Sequence, residues 1–133
     1  MKNLLILLLF APFVLLSQNT SKAKKSYTKA IKFYQESNDK KAKELVQSAI
    51  QQDANYLPPY LLLGQLEEES GNIELAIDNY LKGISDKNPE NAWGFWKVGM
   101  LYMQIPNYVE AQRGFKYFLS FKYQNSKKME SAR

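Results

Sequence analysis

The side chains that most often carry chemistry are missing: the 133-residue sequence contains no Cys and no His. Thiolate nucleophiles, disulfides, imidazole general bases and Cys/His zinc sites are excluded at the outset. Carboxylates, amines and aromatic rings remain. Glu67, Glu68 and Glu69 form the one dense acidic cluster. Consecutive residues on a helix point about 100° apart, so these carboxylates cannot converge on a metal or share a proton; they read as a solvated helix end. The basic stretches KAKKSYTKAIK (22–32) and KKAK (40–43) read as solvated helix faces, with anionic lipid or cell-wall polymer as the sharper alternative. No catalytic residue, metal site or cofactor is expected, and the chain does not read as an enzyme. The side chains suited to recognition are Trp93, Trp96, Met100 and Met103, which recur at helical spacing.

The elements that position them are helical. With 45% hydrophobic residues the chain can bury a core, and with 6 Gly and 5 Pro and no long alternating Val/Ile/Thr runs it does not read as a sheet protein. The formal charge of +5 suits a solvated surface. Punctuation at QDANYLPP (52–59), Gly71-Asn72, DKNPEN (86–91) and IPN (105–107) divides the sequence into six expected helices. They span residues 23–37, 40–53, 57–70, 73–86, 91–104 and 107–122. Short connections make neighbours antiparallel, as helical hairpins.

Residues 1–18 stand apart. Lys2 precedes an apolar run from Leu4 to Leu16, followed by Ser17 and Gln18. The run is shorter than the ~20 residues of a spanning helix and reads as a secretory signal peptide. No Cys follows it to carry a lipid anchor. The expected product is exported, soluble, in the periplasm or associated with the cell envelope, and without an integral membrane span after cleavage. Nucleic acid is disfavoured as a partner of an exported chain.

The hairpins repeat. Ala42, Ala76 and Ala111 align in the second helices, with Val46, Tyr80 and Phe115 four residues on. Ala30, Gly64 and Gly99 align in the first helices. The period of 34 to 35 residues marks an internal repeat, expected over 23–56, 57–91 and 92–125. A Gly inside a helix costs roughly 1 kcal/mol, so Gly64 and Gly99 imply a close crossing, expected to face the aligned alanines.

These residues resemble the tetratricopeptide repeat (TPR): Tyr60-x2-Leu63-Gly64-x2-Glu67 with Ala76-x3-Tyr80, and Phe95-x2-Val98-Gly99-x2-Tyr102 with Ala111-x3-Phe115. The first repeat is a weaker match, with Lys29 at a core Leu position and Ala42-x3-Val46. Glu67 replaces an aromatic, implying looser packing there, and Phe118 replaces a small Ala. The resemblance implies an all-α, right-handed α-α superhelix of three TPR hairpins over residues 19–125, with 126–133 as a tail or short C-terminal capping helix. It also implies a concave face built from the first helices and including Tyr27, Ile31, Tyr34, Leu61, Gln65, Trp93, Trp96 and Met100. Packing within the hairpins is the competing role for Tyr27, Tyr34, both tryptophans and the methionines. Ile31 and Gln65 stand where carboxylate-clamp TPR domains carry Asn, which disfavours that specialised function.

The last helix is apolar on more than one stripe, and an end ridge of Phe118 and Phe121 is expected to meet a partner or a second copy. The favoured function is an exported scaffold that binds a protein or peptide during assembly or maintenance of an envelope or secretion complex. The alternative is a structural or oligomerisation module, part of a larger envelope protein, acting through its C-terminal helix. If the first segment is a signal peptide, mass spectrometry of the cell-derived protein will show an N-terminus near Gln18; an intact Met1 contradicts export.

Overall fold

The computed structural model describes the backbone of residues 2–84 and 92–131, and the side chains of residues 19–84 and 93–122. Every element in it is a helix: α1 (Lys2–Gln35), α2 (Asp39–Gln52), α3 (Pro58–Glu69), α4 (Ile73–Gly83), α5 (Ala92–Gln104) and α6 (Tyr108–Ser131). The expected helices are present, with three differences in extent. α4 ends at Gly83 rather than at 86, with Ile84 as an extended C-cap. α1 begins at Lys2, so its backbone runs through the apolar segment into the first repeat. Residues 126–131 are helical as a continuation of α6, without a break at Asn125 or Ser126. The DKNPEN turn lies outside the described residues.

The chain divides into two compact units, Met1–Pro59 and Tyr60–Arg133. In the first, α1 and α2 pair as an antiparallel hairpin. Ala23, Ala30, Ala42, Val46 and Ala49 are fully buried. Small residues on both helices let the two backbones approach, so little side-chain bulk is needed to fill the seam. Polar ties close its rim: Thr20 Oγ1 donates to Asp53 Oδ2 at 2.5 Å, and Ser26 Oγ donates to Gln52 Oε1 at 3.0 Å. Tyr27 meets Tyr56 edge-on at 5.8 Å.

In the second unit, Leu61, Ala76, Ile77, Tyr80, Val98 and Leu101 form the core, with Ile73, Ile84, Tyr102 and Ile105 packed against it. The two inner glycines have a definite purpose. A Cβ on Gly64 would stand 2.9 Å from Cδ1 of Tyr80, and one on Gly99 would stand 2.7 Å from Cε1 of Phe115. Each glycine therefore clears a hollow for the ring four residues after the alanine of its partner helix. The rings are the nearest neighbours of both glycines, and the aligned alanines Ala76 and Ala111 are buried on the same helices as the rings. Close backbone approach occurs at two other glycines: a Cβ on Gly83 would lie 2.9 Å from the Leu61 backbone nitrogen, and one on Gly114 would lie 2.9 Å from the Phe95 carbonyl oxygen and 3.1 Å from the Gly99 Cα.

One residue joins the two helices of every hairpin. Asn38, Asn72 and Asn107 donate their backbone N–H groups to the carbonyls of Phe33, Glu67 and Tyr102 at 2.8, 2.9 and 2.9 Å. Their own carbonyls accept from Ala42, Ala76 and Ala111 at 2.9, 2.9 and 3.0 Å. The same Asn closes one helix and opens the next, satisfying groups that helix ends leave unpaired. Pro106 stands before Asn107, whereas in the first two hairpins the residue before the Asn turns the chain back in a left-handed conformation. Gly71 does so at φ 77°, whereas Ser37 adopts φ 58°, a left-handed conformation that costs a side-chain-bearing residue roughly 1–2 kcal/mol.

Tyr80 is fully buried and cannot swing aside, so Gly64→Ala should destabilise the fold by about 1–3 kcal/mol. A urea-unfolding midpoint identical to wild type contradicts the glycine–ring fit.

Candidate functional site

α5 has two contrasting sides. Val98 and Leu101 face the core, while Trp93, Trp96, Met100 and Met103 remain 39%, 46%, 43% and 48% exposed. Their intervals of three, four and three residues place them along one stripe, about 15 Å long at 1.5 Å per residue. Large apolar side chains left open together on one face mark an interaction surface more often than singly exposed ones do.

Both indoles are braced from behind. Trp93 meets the Tyr80 ring edge-on at 5.7 Å. Trp96 packs at 5.1 Å from Phe115 and 5.6 Å from Phe118. Each tryptophan thus has one side seated and one side free, which lowers the entropy cost of using it in recognition. Unbranched and polarizable, Met100 and Met103 can adapt to a partner's shape.

Beside the stripe, Glu68 of α3 joins three helices. Its Oε1 accepts from Lys97 Nζ at 2.9 Å and its Oε2 accepts from the Tyr80 hydroxyl at 2.8 Å. The carboxylate is 23% exposed and the lysine 38%, so this pair is better shielded than the helix-surface pairs Lys82–Asp78 and Lys41–Glu44. Occupied on both oxygens, Glu68 orients α5 and is badly placed for proton transfer. The three consecutive glutamates do diverge, but they are not equally solvated. Glu67 is 5% exposed and accepts from Asn72 Nδ2 at 2.8 Å, while Glu69 is open to solvent.

The expected recognition residues divide. Trp93, Trp96 and Met100 share the open face. Leu61 does not join them: at 9% exposure it belongs to the core, where its side chain lies against Gly83 and Gly94. Gln65 is half-buried and donates to Glu69 at 3.3 Å. In the first unit, Tyr27, Ile31 and Tyr34 are half-buried. Phe118 and Phe121 are also half-buried, set against Trp96 and Phe95, with Phe95 stacked at 5.5 Å from Phe121 and 5.3 Å from Tyr117. On α6 the open apolar residues are instead Tyr108, Val109, Tyr117 and Leu119. The Glu68–Lys97 tie joins residues 29 apart, a pairing that no local spacing announces.

No protein-family profile matches the chain, and neither does any curated protein sequence. Solved structures do. The chain is 26% identical to MamA, with a TM-score of 0.73 over 81% of this chain and 63% of that one. It is 17% identical to the second TPR of Spaghetti (RPAP3), bound to the HSP90 peptide SRMEEVD, with a TM-score of 0.69 over 78% of this chain and 95% of that one. It is 20% identical to the Yersinia enterocolitica type III secretion chaperone SycD in complex with a peptide of the translocator YopD, with a TM-score of 0.64 over 82% and 86%. These are TPR-type proteins, and the chain has their fold. It spans less than two thirds of the length of MamA.

Burial raises the pKa of the Tyr27 phenol above its ordinary 10.0, with the neighbouring Tyr56 adding to the effect, and burial raises Tyr56 likewise. The folded hairpin therefore holds these protons longer than the unfolded chain does. Its contribution to stability is complete below the unfolded phenol pKa and is lost as pH climbs through the raised values. The resistance of the wild-type protein to urea should fall on going from pH 9 to pH 11, and should fall by less in Tyr27→Phe. An equal loss in Tyr27→Phe contradicts the assignment.

Proposed function

We propose that this chain is an exported TPR scaffold that binds a protein or peptide through the open face of α5, and that it serves assembly or maintenance of a cell-envelope or secretion complex without catalysing a reaction. The observation that carries the reading is the stripe of Trp93, Trp96, Met100 and Met103, each exposed while the opposite side of α5 is core. Seated aromatics beside adaptable methionines suit an apolar segment of a partner, and buried aromatic anchors typically dominate such interfaces. The ion pair at the edge fixes the helix that presents the stripe. Two structural neighbours were solved with bound peptides, one of them a secretion chaperone holding part of its translocator. Export rests on the charge-free apolar run from Leu4 to Leu16 behind Lys2.

A second reading has its own observation. Tyr108, Val109, Tyr117 and Leu119 are 51% to 69% exposed on α6, which would suit a structural module that self-associates through its C-terminal helix. Phe118 and Phe121, packed against α5, would then support that surface from beneath.

The two readings separate on Met100→Lys/Met103→Lys, because both methionines are exposed, on the side of α5 away from its core residues Val98 and Leu101. Cross-linking in the native envelope should capture a partner with wild type, and the double variant should reduce that capture about ten-fold or more. Undiminished capture, or cross-links only to further copies of the chain, shifts the function to α6.

A further inference from the structure

We propose that the partner contributes one helix, seated in the groove between α5 and α6 as the next first helix of the repeat array. This deepens the reading of α5 as the binding face and rests on it. The second unit already contains one such seat with its helix in place. There α3 and α4 receive the start of α5 at four points. Trp93 meets the Tyr80 ring at 5.7 Å. A Cβ on Gly94 would stand 2.7 Å from Ile84 Cγ1 and 3.8 Å from Leu61 Cδ2, so the glycine lies against both side chains. Lys97 pairs with Glu68 at 2.9 Å. Ile73, Ile77, Tyr80 and Ile84 of the receiving helix share one core with Val98 and Leu101 of α5.

The same seat recurs one period, 35 residues, further on. Leu61 and Glu68 are followed at that distance by Trp96 and Met103 of α5, and Tyr80 and Ile84 by Phe115 and Leu119 of α6. Ile73 and Ile77 are followed by Tyr108 and Gln112. Where α5 covers the first copy, Leu61, Ile77 and Tyr80 are buried. In the second copy Trp96, Tyr108, Gln112 and Leu119 are exposed and Phe115 is half-buried. The four α6 residues fall within an arc of about 60°, beside an open groove of about 590 Å³. α6 continues as one helix to Ser131, so residues 123–131 do not turn back across that arc. Open apolar side chains on both α5 and α6 are thereby two walls of one site.

The first seat dictates what fits the second. Phe115 calls for an aromatic residue, as Tyr80 receives Trp93. The next position must be Gly or Ala, because Leu119 and Trp96 converge there as Ile84 and Leu61 converge on Gly94. Three residues later an apolar side chain replaces the lysine, since Met103 stands where Glu68 does. Charge fixes one more position. Leu81 and Phe95 line a common groove in the first copy, and the counterpart of Leu81 is the exposed Lys116. The residue two after the aromatic therefore faces an amine and is best a carboxylate. A second copy pairing through the same arc would bring Lys116 no acid. Glu110, the acid among the described α6 side chains, is about 180° from the arc's centre and pairs with Arg113. The occupant is an amphipathic partner helix that opens aromatic, small, acidic, any, apolar.

The test uses the full chain and a fluorescent, hydrocarbon-stapled helix of 13 residues, the length of α5, opening Trp-Gly-Glu-Lys-Leu, read by anisotropy. Replacing the peptide's Gly by Leu should weaken binding about ten-fold. Replacing its Glu by Lys should weaken binding about five-fold, and Lys116→Glu in the chain should reverse that preference. A reversed preference cannot come from loss of the fold. Leu119→Lys should weaken the probe about ten-fold or more with an unchanged circular dichroism spectrum. A probe that fails to bind, or that does not distinguish Glu from Lys, overturns the proposal. In the native envelope, Leu119→Lys should lose the same cross-linked partner as Met100→Lys/Met103→Lys. A partner lost with the methionines alone keeps α5 as the binding face and overturns the helix seat; a partner lost with neither variant removes both. Self-association that Leu119→Lys abolishes and the probe does not compete assigns the groove to a second copy and overturns the proposal as well.

Discussion

The second unit depends on one buried ring. Tyr80 lies in a hollow that exists because Gly64 has no Cβ, and it is fully buried there. Its hydroxyl, carried to the edge of the core, needs an acceptor, and Glu68 supplies one at 2.8 Å. Burying that phenol without a partner would cost roughly 1–3 kcal/mol. Glu68 is in turn neutralised by Lys97, which fixes the rotation of α5 about its own axis. That rotation determines which α5 side chains meet the core and which meet solvent. The exposed tryptophans and methionines follow from a chain of contacts that begins with a missing methyl group.

The repeat geometry was legible because it is written in residue sizes. Alanines at 42, 76 and 111 and small residues at 30, 64 and 99 keep period through the chain, and each small residue has a matching larger one. Ala30 aligns with the modest Val46, whereas Gly64 and Gly99 face Tyr80 and Phe115; side-chain volume lost on one helix reappears on the other. The three hinge asparagines have the same period, yet their backbone role is visible only once both helix ends are seen together. The candidate face was legible at Trp93, Trp96 and Met100, where spacing alone separates it from Val98 and Leu101. Leu61 was not, because its position on the first helix is the same as that of an open residue; the hollow beside Gly83 and Gly94 draws it inward. Glu67 shows the converse. A carboxylate in place of an aromatic suggests an open site, but the neighbouring Asn72 side chain satisfies it at 5% exposure.

The division of labour along α5 has a physical logic. A recognition face made entirely of flexible side chains would lose much of its affinity to ordering, and one made entirely of rigid rings would tolerate few partners. Here the N-terminal half of the stripe is held by ring contacts to Tyr80, Phe115 and Phe118, and the methionines extend it. Trp96 cannot be removed without disturbing its neighbours on α6, so truncation there reads stability and binding together. Met100 and Met103 are the positions at which binding can be read alone.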